Sequence, residues 1–112
     1  MIKGTFKRNK ENQAIEAFEI SGHAGSGPYG SDIVCAAVSA LTFSTVNGIA
    51  KLSQVEPLVD MDNNNEGYLY VTLKEDLSDR ELEISQLLLE NLLLGLQDIQ
   101  NEYNQFMMIQ VN

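Results

Sequence analysis

The sequence feature that most constrains the fold is a leucine-rich segment that begins with a helix-capping motif. Residues 78–81 read Ser-Asp-Arg-Glu, a capping box in which the serine and the glutamate each accept a hydrogen bond from the other's backbone amide. The apolar band that follows, up to about residue 101, is wider than a surface helix needs; it consists of Leu82, Leu87, Leu88, Leu89, Leu92, Leu93, Leu94, Leu96 and Ile99. The segment therefore predicts a long helix covered on more than one side, by a sheet and by either a second subunit or a loop.

Alternation of apolar and polar residues predicts the strands. The alternating segments are taken as two hairpins and a closing strand: residues 2–8 with 14–21, residues 57–62 with 68–73, and residues 105–111. An apolar run after residue 32 predicts a first helix that ends near residues 51–54, because Pro57 is poorly accommodated inside a helix. The order β-β-α-β-β-α-β predicts an α+β fold, a single domain over residues 1–112 with two helices packed on about five strands.

Net charge restricts the partners that such a chain can bind. The formal charge is −9 at pH 7, so phosphate groups would be repelled and direct nucleic-acid binding is not expected. An acidic surface suits a basic protein partner, because complementary fields speed their encounter. A solvated acidic surface with no such partner explains the same charge.

Targeting signals are not evident in the sequence. The N-terminal residues 1–8 lack the apolar segment of a signal peptide. The longest apolar run, residues 33–50, is interrupted by polar side chains, so no association with a membrane is expected. A single cysteine cannot form an internal disulfide, which fits a location in the reducing cytoplasm.

The only histidine, His23, and the only cysteine, Cys35, lie on either side of a glycine-rich loop. His23 directly follows the second predicted strand, a position where functional side chains can be both exposed and fixed. The loop lacks the lysine-ended pattern of a phosphate-binding loop; its distinctive residues are Gly25, Gly27, Pro28 and Gly30. It is interpreted either as a mobile cover over a substrate or as an ordinary connection.

Cys35 is expected at the start of the first helix. Asp32 is a good N-cap residue, with Ser31 as the neighbouring alternative, and an N-cap at Asp32 places Cys35 third in the helix. The positive end of the helix dipole would then favour a thiolate. Ser39 and Thr42 follow Cys35 at helical spacing and share its face, so Cys35 heads a polar stripe rather than an apolar one.

A cysteine and a histidine suffice for acyl transfer if their side chains meet, because imidazole can take the thiol proton and return it to the leaving amine. A lone cysteine is more often a small buried hydrophobe. A structural zinc site needs about four cysteine or histidine ligands, and a disulfide oxidoreductase needs a second cysteine. The chain offers neither, so neither a metal nor another cofactor is expected.

The stretch Gly22-His23-Ala24, followed by Gly30-x-Asp32-Ile33-Val34-Cys35-Ala36 and then Ser39, resembles the signature of the ribosomal-processing cysteine proteases, a small bacterial family. The resemblance extends to length, element order and Glu102-Tyr103-Asn104 near the end. It implies a catalytic dyad of His23 and Cys35. Asp32 and Ser39 are supporting residues, Asp32 as cap or histidine orienter and Ser39 as a partner of the sulfur.

The resemblance also implies a substrate and an assembly state. Members of the family remove an N-terminal extension from a large-subunit ribosomal protein and cut after an aromatic pair. The resemblance also implies a homodimer in which the glycine-rich loop lies over the site. A second hypothesis keeps the basic partner and drops the chemistry: a non-catalytic ribosome-assembly factor that binds a basic ribosomal protein. Replacement of Cys35 would abolish function in the first hypothesis and preserve it in the second.

Overall fold

The computed structural model describes residues 1–22, 29–62 and 67–112, with the backbone alone described for residues 29–32. The elements follow the predicted order. Six of the ten strand ends coincide with the predicted ones, and the other four differ by one or two residues. They are β1 (Ile2–Arg8), β2 (Ile15–Ser21), α1 (Tyr29–Gly48) with a π-helical continuation (Ile49–Ser53), β3 (Leu58–Asp62), β4 (Tyr68–Thr72), α2 (Asp79–Glu102) and β5 (Met107–Val111).

The five strands form one mixed sheet in the order β3-β4-β2-β1-β5. Both predicted hairpins are present, because β1 pairs with β2 and β3 pairs with β4, each pair antiparallel. β5 returns beside β1 in parallel orientation, with Ile2 opposite Met107. The α+β architecture with two helices on a five-stranded sheet is therefore confirmed, and β3 and β5 are its two edge strands.

The core lies between one face of this sheet and the two helices. Phe6 and Phe18 stack at its centre with ring centroids 5.4 Å apart, and burial of each such side chain stabilises the fold by roughly 1.5–3 kcal/mol. From α2 the core takes the buried residues Leu89, Leu92, Leu93 and Leu96. A Cβ at Gly4, which lies between β2 and β5, would be 2.7 Å from Ile109 Cδ1 and 3.1 Å from Ile20 Cδ1, so the ends of these side chains would have to shift.

An irregularity in the first hairpin decides which side chains reach the core. The pairing of β1 with β2 shifts between Lys7 and Arg8, so that Arg8 lies opposite Ile15. Ile15 is fully buried, whereas Glu16 is half-exposed and forms an ion pair with Lys7 at 3.8 Å. A bulge reverses the alternation of a strand locally, and here it puts the isoleucine inside and the carboxylate outside.

The start of α1 corrects one prediction. Asp32 is not the N-cap: α1 begins three residues earlier, at Tyr29, and Cys35 lies in its second turn. An N-cap residue stabilises a helix start by only about 1 kcal/mol, and none of Tyr29, Gly30 and Ser31 is barred from a helix. Additional backbone hydrogen bonds therefore outweigh the preference for a cap at Asp32 or Ser31.

The other helix ends agree with the sequence. The helical segment that contains Cys35 ends at Ser53, where Gln54 adopts a left-handed conformation with φ of 66°. At the start of α2 the capping box is formed, since the Glu81 amide donates to Ser78 Oγ at 3.1 Å and the Ser78 amide donates to Glu81 Oε1 at 2.7 Å.

One expectation about the first helix needs qualification. By length and composition alone, residues Ile33–Ser53 could cross a membrane, with a mean hydropathy of 1.7, despite their polar interruptions. In the fold, Val34, Val38 and Ile49 of this segment belong to the core. The same composition is found in helices that pack against a sheet in globular proteins, so it is weak evidence for a membrane span.

Candidate active site

A cavity of about 140 Å³ lies between the N-terminal half of α1 and the sheet. Its lining is mostly apolar, and the described residues that form it are Ile2, Ile20, Gly22, Cys35, Val38, Ser39, Thr42, Phe43, Met61, Gly67, Tyr68 and Leu69. Cys35 is half-buried in this wall. A cysteine side chain thus sits beside an apolar recess of the kind that binds small groups of a ligand.

The helix wall of the cavity carries the polar stripe predicted from helical spacing. Cys35, Ser39 and Thr42 all line the cavity, so their shared face is confirmed. Thr42 is 2% exposed, and its Oγ1 has no hydrogen-bond partner among the described residues. A buried hydroxyl without a partner is uncommon because its desolvation is not compensated.

The sheet wall comes from three strand ends. Ile20 and Leu69 are paired across β2 and β4, and Met61 of β3 is paired with Leu69. Beyond the end of β2, the Gly22 amide donates a hydrogen bond to the Gly67 carbonyl at 3.1 Å. These contacts hold Gly22, which directly precedes His23 in the sequence, at the cavity that Cys35 lines from the helix side.

Acidic side chains lie beside this wall on the open face of the sheet. Tyr68 is paired with Ser21 on one side and Asp62 on the other. Partial burial and the negative charges of Glu19 and Asp60 raise the pKa of Tyr68 above its usual value. The raised pKa favours the protonated phenol.

The predicted site residues fall into three groups. Cys35 and Ser39 are brought together at the cavity. Gly30 and Asp32 lie in the first turn of α1, where the backbone alone is described. His23, Gly25, Gly27 and Pro28 lie outside the described residues.

Sequence reasoning missed the strand residues of the cavity. Met61 and Leu69 were assigned only to alternating strands, because the pattern does not show which strand will lie beneath Cys35. Thr42 was placed on the correct face, although a threonine on a polar stripe gives no signal that its hydroxyl will be buried. In the described part of the chain, no three histidine, cysteine or carboxylate side chains cluster in a way that could hold a metal ion.

The family model described as cysteine protease Prp matches residues 1–108. The chain belongs to the Prp family. A ribosomal processing cysteine protease Prp of Bacillus subtilis is 34% identical over 112 residues, covering 100% of this chain and 98% of that protein. A protein of the same name from Staphylococcus aureus is 38% identical over 105 residues, covering 94% of this chain and 93% of that protein.

Solved Prp structures share the fold. The crystal structure of the S. aureus ribosomal processing protease Prp with a covalently linked product peptide superposes with a TM-score of 0.84 at 33% identity, over 100% of both chains. A covalent link to a peptide is what nucleophilic catalysis by a cysteine produces. As a member of the Prp family, this chain is a cysteine protease, and a purely non-catalytic assembly factor is disfavoured.

Proposed function

We propose that this protein is the endopeptidase that removes an N-terminal extension from a large-subunit ribosomal protein, cutting after an aromatic pair. The observation that carries the specificity is the size of the cavity beside Cys35, about 140 Å³. An apolar cavity of about 150 Å³ holds one benzene molecule. A cavity of this size suits the phenyl ring of the residue that precedes the cut.

Cys35 is proposed as the nucleophile and His23 as its base. The Cys35 thiolate attacks the scissile carbonyl carbon while the imidazole holds the thiol proton. Collapse of the tetrahedral intermediate breaks the C–N bond, and the imidazole returns the proton to the leaving amine. Water then attacks the thioester, releases the carboxylate product and restores the thiol. Gly22 and Cys35 line the same cavity, which supports this pairing because His23 follows Gly22 in the sequence.

The start of α1 offers donors for the oxyanion. The amides of the N-cap residue and of the first three helical residues have no carbonyl partner within a helix, and those inside α1 belong to Tyr29, Gly30 and Ser31. Side chains in a helix lean toward its N-terminus, so the sulfur of Cys35 is directed toward this turn from the next one. We propose that these amides stabilise the negative oxygen that develops on attack.

Three further roles complete the proposed site. Ser39 lies one turn after Cys35 on the cavity wall and is proposed to hydrogen-bond the sulfur. Asp32 is proposed to orient His23, and its capping role is withdrawn. The segment that contains Gly25, Gly27 and Pro28 is proposed to cover the bound peptide. Gly30, which the sequence predicted in the same loop, lies instead in the first turn of α1, because the helix begins at Tyr29.

The partner is proposed from the net charge, and the location from the single cysteine, which fits a reducing compartment. A chain of net charge −9 attracts a basic ribosomal protein and repels free nucleic acid. We propose a cytoplasmic enzyme with residues 1–112 as one protease domain, in which substrate is recognised through its protein part alone.

A homodimer is proposed from the outer surface of the helical layer. α2 buries one row of leucines and leaves Leu87 and Leu94 exposed at 67% and 61%. Leu41 and Leu52 of the first helical segment are also exposed. The two helical segments run antiparallel, because Gly48 lies beside Leu88 and Gly95 lies beside Leu41. A second copy would cover this leucine surface, as the breadth of the apolar band in α2 predicts.

The test is cleavage of a peptide series in which only the residue before the cut varies. We expect Phe to be cleaved fastest, Leu more slowly, and Ala and Trp at least tenfold more slowly than Phe, because Ala leaves the cavity empty and Trp exceeds it. Ile20→Ala should enlarge the cavity and restore cleavage after Trp. Ile109→Ala is the matched control, since Ile109 is also half-buried against the core but does not line the cavity. Equal rates for Phe, Ala and Trp would refute the assignment.

A further inference from the structure

β3 is an edge strand whose five residues, Leu58–Asp62, are all exposed. Its inner edge pairs with β4. Outside this ladder, the described part of the chain places no hydrogen bond on Leu58, Val59, Asp60 or Met61. The outer edge of β3 therefore has the unpaired backbone groups that accept an added strand.

The two faces of β3 differ in chemistry. Val59 and Met61 share the helix side of the sheet with Val71 and Leu69, their partners on β4, and are 46% and 48% exposed. Asp60 and Asp62 lie on the opposite face, beside Tyr70 and Tyr68. The helix side of this edge is therefore apolar, whereas the open side carries the two carboxylates together with the exposed side chain of Leu58.

The apolar side of β3 is continuous with the site. Met61 lines the cavity that contains Cys35, and Phe43 of α1, also partly exposed, lines the same cavity. A peptide whose ring enters the cavity therefore has an open strand edge next to its adjoining residues.

We propose that the substrate segment preceding the cut binds by adding a strand to the outer edge of β3. This inference rests on the proposed function and adds the recognition mode and sequence pattern of the substrate. Side chains of an added strand alternate between the two faces. Those on the helix side meet Val59 and Met61, and those on the open side meet Asp60 and Asp62. The preferred substrate therefore alternates apolar residues with basic or polar ones.

The opposite edge of the sheet is less suited to this role. The amide of Ile109 in β5 donates to the Gln100 side chain at 2.5 Å, so part of that edge is already satisfied. β5 also contributes no residue to the cavity that contains Cys35. A second copy of the chain is the other occupant that β3 could pair with, and the experiment separates the two.

The test is a backbone N-methyl scan of a peptide that carries the alternating pattern before the cut. Binding to Cys35→Ala protein is measured by calorimetry, and cleavage by wild type is measured in parallel. An N-methyl group removes one backbone donor and obstructs strand pairing. Every second methyl group should weaken binding about tenfold and the intervening ones should have little effect, because alternate amides of an added strand face the sheet.

A charge exchange tests the open side. Asp60→Lys should weaken a peptide with lysine at the open-side positions and strengthen one with glutamate there, each about threefold. Glu83→Lys is the matched control, as an exposed carboxylate on α2, and should not discriminate between the two peptides.

The outcomes separate the two levels of the proposal. In one outcome, the effects of the methyl groups on binding alternate, but wild type does not cleave the unmethylated peptide. This outcome would support strand addition and refute the protease assignment for this substrate. Methyl effects that do not alternate, with cleavage intact, would overturn strand addition alone. In a third outcome, Val59→Lys converts a dimer into a monomer, and the effects of the methyl groups on peptide binding do not alternate. The outer edge of β3 would then pair with a second copy of the chain, and the proposal would be overturned.

Discussion

Arg8 and Glu90 are joined by two parallel hydrogen bonds, with Nη1 2.6 Å from Oε2 and Nη2 2.8 Å from Oε1. The pair connects the end of β1 to the middle of α2. The hydrogen bonds that Arg8 donates to Glu90, helped by the opposite charges, lower the pKa of Glu90 and raise the pKa of Arg8. This bidentate contact fixes the orientation of the helix against the strand more specifically than a single ion pair does.

Replacement of Glu90 should destabilise the fold. Because the Glu90 side chain is 42% exposed, water screens the pair, and Glu90→Gln is expected to lower the free energy of unfolding by about 1 kcal/mol. The pKa of Glu90 is lower in the folded state, so the stabilisation is complete above the unfolded-state pKa of about 4.3 and is lost as pH falls through the folded-state pKa. Chemical denaturation at pH 7 and pH 3 measures the free energy of unfolding of both proteins. The difference between wild type and variant should be smaller at pH 3 than at pH 7.

Lys7→Gln is the control for this prediction. Lys7 pairs with Glu16 at 3.8 Å with both side chains largely exposed, so its removal should change stability by no more than about 0.3 kcal/mol. Equal losses from the two variants would show that the paired geometry of Arg8 and Glu90 contributes nothing specific.

Gly22 is required by its backbone. Its φ is +84°, and a Cβ there would lie 2.4 Å from the Met1 carbonyl oxygen. Gly22→Ala should therefore lower stability by about 1–3 kcal/mol and reduce cleavage further, because the strained residue directly precedes His23. Thermal and urea denaturation measure the first effect and peptide cleavage the second.

Gly48→Ala provides the matched substitution. Gly48 is helical, and its Cβ would meet only Leu88 at ordinary contact distance, 3.6 Å. A helical alanine is favoured over glycine, so stability should rise by about 0.5–1 kcal/mol. A loss at Gly48 as large as that at Gly22 would contradict the account of Gly22.

The buried hydroxyl of Thr42 predicts a stabilising substitution. Since Oγ1 has no partner among the described residues, Thr42→Val removes an uncompensated polar atom at nearly constant volume and should raise stability by about 1 kcal/mol. Ser53→Ala should have the opposite sign, because Ser53 Oγ is buried and donates to the Ile49 carbonyl at 2.6 Å. Urea denaturation of both variants checks the contrast, and destabilisation by Thr42→Val would show that the hydroxyl has a partner.

The leucine surface of the helices predicts the assembly state. Leu87→Glu combined with Leu94→Glu should convert a dimer into a folded monomer, measured by sedimentation with circular dichroism as the check on folding. Met108→Glu is the control, since Met108 is similarly exposed but lies on the open face of β5. A dimer that survives the double substitution would place the interface elsewhere.

Local signals in the sequence predicted most of the elements. The capping box at Ser78 and the alternation of residues 68–73 depend on neighbours within a few positions, so the sequence carries them directly. The N-cap at Asp32 was wrong for a related reason: capping is a weak preference, and residues 29–31 decided the helix start. Local signals thus fix the type of an element better than its ends.

Contacts between distant residues could not be predicted in this way. Arg8 and Glu90 are 82 positions apart, and nothing near either residue identifies the other. The bulge that buries Ile15 in place of Glu16 depends on the pairing of the whole hairpin. At the site, helical spacing predicted that Cys35, Ser39 and Thr42 share a face, whereas Met61 and Leu69 reach the cavity only because β3, β4 and β2 are neighbours in the sheet.

The most direct test of the central claim is mass spectrometry of an N-terminally extended ribosomal protein after incubation with wild type, Cys35→Ala and His23→Ala proteins. We expect one cut after the aromatic pair by wild type and none by either folded variant. We also expect that a thioester-linked peptide can be trapped on wild type at short times. Cleavage by the Cys35→Ala protein at the wild-type rate would contradict the assignment of Cys35 as the nucleophile.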